Sequence, residues 1–269
     1  MNNKIAFIGA GAMASAILRG ACRELDPARF LVTDTFAEKA EALAAELGCT
    51  ALHSNVEAAR QADLVILCVK PQGASEVLAE LAPILRGTQK VLCSILAGVT
   101  IETIRISLGA PEQPVLRIMP NTPMLIGKGQ MLLCAADVPE GANAEVLTLL
   151  APCGECVWMP EAFFDEGTAL SGSSPAFVYL FINAMAEAGV AAGLERDQAI
   201  QLAARATYGA AAMVLETGEP PTALTAMVCS PGGSTIAGVH ALEAGGFDDV
   251  VAEAIHASIA RNQELGKIK

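Results

Sequence analysis

Lys4-Ile5-Ala6-Phe7-Ile8-Gly9-Ala10-Gly11-Ala12-Met13-Ala14 is the stretch that decides how the first half of the chain folds. The apolar run before Gly9 suits a strand buried on both faces, as a central parallel strand is. The glycine turn then enters a helical pattern that continues to about Leu25. A strand, a G-x-G turn and a helix in that order make the dinucleotide-binding fingerprint. The first glycine permits the tight turn and the second lets the backbone approach a pyrophosphate, while the third position has only to be small, as Ala14 is.

Outward from this unit, residues 30–33 form a second strand ending at Asp34, where an acid binds a ribose hydroxyl and an arginine suits a 2′-phosphate. By that chemistry Asp34 points to NADH. A helix over 38–47 stops at Gly48, and Ser54-Asn55-Val56-Glu57 has capping-box spacing. Asn55 is either exposed filler or a contact at a helix start. Residues 64–69 read as a fully apolar strand running into Lys70-Pro71-Gln72, at the carboxyl end where open α/β sheets bind ligands. Lys70 there either touches cofactor phosphate or ribose or is a solvated loop lysine.

The strand over 91–96 ends at Ala97-Gly98, small enough to let a ring or ribose pass. Arg117, inside the strand 115–119, must be paired and reads as a structural ion-pair partner. Pro120-Asn121-Thr122-Pro123 is a rigid wall of a site or a plain turn, with Asn121 as a candidate substrate contact. Strands over 130–134 and 156–159 flank a helix over 143–150, and Pro160 closes a dinucleotide-binding domain of residues 1–160. The expected fold is an α/β Rossmann-like domain with a mostly parallel sheet, followed by an all-α domain.

Beyond Pro160 only helices are expected, over 161–170, 175–193, 196–216, 222–228, 235–244 and 248–265. The second is apolar nearly all round over 177–185, and a helix without a polar face must be covered on every side. Residues 161–269 alone can hardly do that, so a homodimer packing across a two-fold axis is expected. Within them, Ser230-Pro231 reads as a helix N-cap and first turn, followed by the free N–H groups of Gly232 and Gly233 and the hydroxyls of Ser234 and Thr235. Such a helix start attracts an anion, although a plain capped helix has the same pattern. Gly245-Gly246 reads as the C-cap.

The 269 residues suit two modest domains, and a 53% hydrophobic share with only 4% aromatics favours closely packed helices and parallel strands. Seventeen basic and 29 acidic residues leave a net charge of −12, which argues against nucleic acid or an anionic membrane as partner. The longest uncharged apolar run, 176–186, is too short to span a bilayer. No signal-peptide pattern is present, and eight scattered cysteines suit reduced thiols, so the expected location is cytoplasmic. Cys153-Gly154-Glu155-Cys156 lacks a second pair and reads as packing thiols; no metal site is expected.

Taken together, FIGAGAMASAI, VKPQ at Lys70, SILAGV from Ser94, RIMPNTP from Arg117, ALSGSSPAFVYLF from Ala169 and CSPGGSTIAGVHALEAGGF from Cys229 resemble the 1-pyrroline-5-carboxylate reductase family along nearly the whole chain. The resemblance implies a nicotinamide-binding Rossmann domain, a helical domain that interlocks into a homodimer or a larger ring of dimers, and a site between the nicotinamide and residues 230–235. It places cofactor contacts on Gly9, Ala10, Gly11, Ala12, Met13, Asn55, Cys68, Val69, Lys70, Pro71, Ala97 and Gly98. It also places the carboxylate-binding backbone on Gly233, Ser234 and Thr235, and the hydroxyl near the substrate ring nitrogen on Thr235.

The implied reaction is hydride transfer to the C=N carbon of a cyclic imine, giving L-proline in the last step of proline biosynthesis. An iminium arrives electrophilic, which suits a loop without His, Asp, Glu or Lys. The family's habit favours NADPH, and Thr33, Thr35 and Lys39 can hold a 2′-phosphate if Asp34 turns away; NADPH is placed first, NADH second. A β-hydroxyacid dehydrogenase shares the glycine-rich start but needs a general base, commonly a helical lysine, and residues 161–262 contain none. A nucleotide sensor without catalysis is the remaining alternative.

Overall fold

Short runs of Ile, Leu, Val and Phe bounded by turns give the strands, and alanine-rich amphipathic segments between them give the helices. The computed structural model describes residues 3–266. In chain order the first part comprises β1 (Ile5–Ile8), α1 (Ala12–Ala21), β2 (Phe30–Thr33), α2 (Ala37–Leu47), β3 (Thr50–Ala51), α3 (Asn55–Gln61) and β4 (Leu64–Leu67). Then come α4 (Ala74–Leu85), β5 (Val91–Ser94), α5 (Ile101–Leu108), β6 (Val115–Met119), β7 (Gly129–Ala136), α6 (Glu140–Leu150), β8 (Gly154–Trp158) and α7 (Phe164–Thr168).

The strands form one sheet in the order β3-β2-β1-β4-β5-β6-β7-β8. From β3 to β6 the pairing is parallel, with Ile5 beside both Phe30 and Leu64. The order reverses between β1 and β4, which opens the crevice where ligands of such sheets bind. β7 runs antiparallel to β6, with Arg117 opposite Cys134, because the connection after Met119 is too short for a crossover. β8 returns parallel to β7 by way of α6.

Side chains alternate between two cores, as strand geometry requires. Ile5 and Phe7 pack with Ile17 and Leu18 of α1 and Leu149 of α6. Ala6 and Ile8 pack with Ala58 of α3, Leu78 and Leu81 of α4 and Ile104 of α5. Phe7 meets Phe30 edge-on, with ring centroids 6.2 Å apart.

Several boundaries differ from the sequence reading. α1 ends at Ala21 rather than near Leu25, because Asp26 and Pro27 start a separate 3-10 turn in which the Asp26 carboxylate accepts the Ala28 N–H. β4 and β5 end two residues before their apolar runs do, at the crevice, although the Cys68 N–H still donates to the Ile8 carbonyl at 2.8 Å. A π-helical segment over Ala169–Ser173 carries α7 into α8 (Ser174–Ala191) without a break. The resulting run, Glu161–Ala191, is by length and composition long and apolar enough to cross a membrane, which the shorter run 176–186 is not. Its first turns are nevertheless tied to the sheet: Phe164 is buried and Glu161 pairs with Arg117 of β6.

The chain divides into two compact units, one running to Ser173 and resuming at Ser258, the other covering Ser174–Ala257. The second unit holds α8, α9 (Arg196–Thr217), α10 (Pro221–Val228), α11 (Ser234–Ala244) and the first part of α12 (Phe247–Leu265). α8 and α9 form its helical hairpin, yet Ala186 is the one buried residue in α8, and α10 and α11 have none. Leu180, Tyr208, Leu215 and Met227 are at least 65% exposed within one chain.

Phe7→Ala leaves a cavity between two packed layers and is expected to cost about 3–5 kcal/mol. Chemical denaturation at fixed protein concentration checks this as a lowered midpoint at unchanged m.

Candidate active site

The glycine turn after β1 is built by close packing. Gly9 has φ +108°, and a Cβ there would sit 2.6 Å from the Cys68 carbonyl oxygen, so only glycine fits. Its N–H donates to the Thr33 carbonyl at 2.9 Å, which ties the turn to β2. Gly11 is the N-cap of α1 and has no atom within 4 Å of where a Cβ would be. No side chain caps α1 and no acid lies in its first turn, so the N–H groups that begin at Ala12 and Met13 are open to an anion. A pyrophosphate fits this cradle.

Asp34 borders it from the end of β2. One carboxylate oxygen accepts the Ala10 N–H at 2.8 Å and the other accepts the Phe36 N–H at 2.9 Å. In this arrangement the side chain is held beside the turn by two backbone N–H groups. Thr33 is buried and donates to Asn55 Oδ1 at 2.7 Å, while Asn55 Nδ2 donates to Glu80 at 2.9 Å. The Thr33 hydroxyl is thus engaged internally, which corrects its reading as a 2′-phosphate ligand. Thr35 and Lys39 remain exposed, with the Lys39 ammonium 4.8 Å from the Phe36 ring centroid.

These groups surround a cavity of about 650 Å³ that also touches Gly9, Gly11, Cys68, Val69 and an exposed Lys70. Ala10, Ala12, Met13, Pro71, Ala97 and Gly98 do not line it. His53, Glu76 and Glu80 do, and the sequence reading missed them. The four-residue spacing of Glu76 and Glu80, which puts both on one face of α4, was the available signal. Asn55 proves to be a wall residue with a fixed amide rather than exposed filler.

Asn121, a candidate substrate contact by sequence, serves in this structure as a brace. It is 7% exposed, its Nδ2 donates to the Ser171 carbonyl at 2.9 Å, and its Oδ1 accepts the Gln130 N–H at 2.9 Å. Arg117 behaves as read: it is buried, lies 4.4 Å from the Phe164 ring centroid and bonds Glu161 at 2.7 Å.

In the second unit Ser230 does not cap α11. Pro231 and Gly232, the latter at φ +73°, make a turn closed by the Gly233 N–H on the Ser230 carbonyl at 3.0 Å. This is the pattern of a type II turn, with proline second and glycine third. Gly233 becomes the N-cap of α11, without a side-chain cap and with no acid in the first turn. The open donors are therefore those of Ser234, Thr235 and the residue after them. Ser234 and Thr235 are exposed, and among the described residues neither hydroxyl has a hydrogen-bond partner.

A family model described as pyrroline-5-carboxylate reductase dimerisation matches residues 161–265, and one described as NADP oxidoreductase, coenzyme F420-dependent, matches residues 4–98. A pyrroline-5-carboxylate reductase of Glycine max is 40% identical over 97% of this chain and 95% of its own length. A solved pyrroline-5-carboxylate reductase from Coxiella burnetii superposes with a TM-score of 0.91 at 33% identity, covering 99% of this chain and 100% of that one. A pyrroline carboxylate reductase of Plasmodium falciparum, solved with NADP bound, gives 0.89 at 30% identity and covers 99% of each chain. The chain belongs to the pyrroline-5-carboxylate reductase family.

The crevice at the β1–β4 reversal is the position where ligands of such sheets bind. A larger cavity, about 940 Å³, lies between α5 and the end of β7, where Arg105 and Glu161 are already engaged. Arg105 bonds the Gln113 carbonyl and Asp137, and Glu161 bonds Arg117. Burial pushes the thiols of Cys153 and Cys156 up to about 11, so both stay protonated near neutrality. Among the described residues no group of three His, Cys, Asp or Glu side chains is placed to hold a metal.

Asp34→Asn removes a charge at the ribose end of the crevice. The ratio of dissociation constants for NADH and NADPH is expected to shift about tenfold toward NADPH, a change of ~1.4 kcal/mol. Nicotinamide fluorescence titration checks it; an unchanged ratio places the 2′ position elsewhere.

Proposed function

We propose that the chain reduces 1-pyrroline-5-carboxylate to L-proline, the last step of proline biosynthesis, using NADPH or, second, NADH. The observation that carries this reading is the start of α11, which has a glycine N-cap, no acid in its first turn and a free Thr235 hydroxyl. Such a start holds a carboxylate by backbone N–H groups and still leaves a hydroxyl for a ring nitrogen.

The reduced nicotinamide supplies the hydride for the C=N carbon. Thr235 bonds the ring nitrogen, keeping the iminium oriented and its proton in place as the nitrogen becomes an amine. The N–H groups of Ser234, Thr235 and the residue after them hold the carboxylate without a lysine, the Gly233 N–H being engaged by the Ser230 carbonyl. The open N–H groups at the start of α1 take the pyrophosphate, with Asn55 and Lys70 toward the nucleotide and Ala97-Gly98 toward the nicotinamide. No side chain need act as a strong acid, so alignment does most of the work.

Residues 161–269 serve as dimerisation and substrate domain, and residues 1–160 bind the dinucleotide. The uncovered apolar helices of the second unit support a homodimer, since contiguous exposed apolar surface on this scale needs a partner. The reading includes a cytoplasmic location and allows a larger ring of dimers.

The direct test is oxidation of NADPH when synthetic 1-pyrroline-5-carboxylate is added, read as loss of reduced-nicotinamide absorbance; no oxidation with either dinucleotide overturns the proposal. Thr235→Ala is expected to keep the dinucleotide dissociation constant and to lose about 1–3 kcal/mol of transition-state stabilisation, roughly 5- to 150-fold in kcat/KM. Sedimentation at micromolar concentration should give at least twice the 27.7 kDa chain mass; a monomer removes the dimer.

A further inference from the structure

The connection from β5 to α5, which carries Ala97 and Gly98, is held from behind at two points. At its far end the Ile101 N–H donates to Glu161 Oε1 at 2.7 Å, the same oxygen that takes the Arg117 guanidinium at 2.7 Å. At its near end the last turn of α12 lies directly on Gly98. A Cβ on Gly98 would collide with the Asn262 carbonyl oxygen and sit 2.7 Å from the Gly266 nitrogen; one on Gly266 would collide with the Gly98 oxygen and sit 2.9 Å from the Gly98 carbonyl carbon. Two backbones more than 160 residues apart in sequence therefore touch with no side chain between them.

The end of α12 is itself fixed. Among the described residues of that helix, Asn262 is the one that is buried, and its Nδ2 donates to the Asp165 carbonyl at 3.4 Å. The Gly266 N–H closes the helix on the Asn262 carbonyl at 3.1 Å. Gly98 has φ +76°, so the loop turns sharply at the contact. A side chain in such a contact could repack and absorb a displacement. Backbone against backbone passes it on, because close-packed interiors have little slack.

We propose that Gly266 and Asn262 are positioning residues for the dinucleotide: the last turn of α12 sets the height of Ala97-Gly98 and so the fit of the cofactor against that loop. The proposal rests on the reading of Ala97-Gly98 as a cofactor wall. It assigns a function to a part of the chain that no motif marks, and it makes dinucleotide affinity depend on the C-terminal helix.

The test is the NADPH dissociation constant of the full-length protein, measured by nicotinamide fluorescence without substrate. Gly266→Ala pushes a methyl group into the Gly98 backbone and is expected to weaken NADPH binding about tenfold with the thermal midpoint within a degree or two of wild type. Asn262→Ala, which keeps the Gly266 contact sterically clear, is expected to weaken it about threefold. Gly141→Ala, where a Cβ meets nothing within 4 Å, is the control and should bind as wild type does. With saturating NADPH, the KM for the imine should be unchanged in all three. Wild-type affinity in folded Gly266→Ala and Asn262→Ala overturns the proposal, as does an equal rise in both KM values. Because binding is read without turnover, a wild-type protein that binds NADPH but does not reduce the imine would overturn the functional reading alone.

Discussion

At the carboxyl end of β1 the Gly9 α-carbon lies against the Cys68 carbonyl, with room for a hydrogen and not for a methyl group. This contact holds the end of β1 beside the end of β4 while the chain after β1 turns into α1 and the chain after β4 turns the other way. The crevice between those paths is where ligands of open parallel sheets bind. Parallel pairing on both sides of β1 supplies the stiffness, and a one-residue slip of β1 would drive Phe7 into the opposite buried layer, at places shaped for Ala6 and Ile8. A side chain at position 9 would therefore disturb the sheet and the cofactor cradle together.

Several polar groups around the crevice are linked to one another. Asp34 takes two backbone N–H groups, and Thr33, Asn55 and Glu80 form a chain. Each bond reduces the number of rotamers a wall residue can adopt before the cofactor arrives, which lowers the ordering cost of binding. The same arrangement leaves the Asp34 carboxylate at the end of β2, the strand end where such folds hold a ribose. The chain thus joins a family with an NADP-bound member and carries an acid at the strand end where a 2′-phosphate would be resisted. The opposite strategy operates at α11, where donors are left open and the adjoining side chains are uncharged.

The second unit makes a different physical demand. Its helices are apolar on several sides, and within one chain almost nothing covers them. Helix–helix packing stabilises such segments only when each apolar face meets another. Residues 161–265, including the long apolar run into α8, are the segment that matches a dimerisation family model.

Much of this was legible in the residues alone, because local rules govern it. An apolar run followed by Gly-x-Gly, an acid after the second strand, Arg117 inside a strand and Ser54 three residues before Glu57 each imply their structure from neighbours in sequence. So does an apolar helix that must be covered. What the sequence could not determine were contacts between segments far apart in the chain. Asn121 braces two segments because Ser171 and Gln130 meet the two ends of its amide. Glu80 entered the nucleotide wall only because α4 packs beside α3, and the N-cap of α11 moved to Gly233 because the Pro231-Gly232 turn closes on Ser230. Gly98, read as space for a ring, also makes room for the end of α12. Hydrogen-bond partners and close approaches of this kind depend on distances that only the folded chain creates, whereas periodicity and capping depend on distances the covalent backbone already sets.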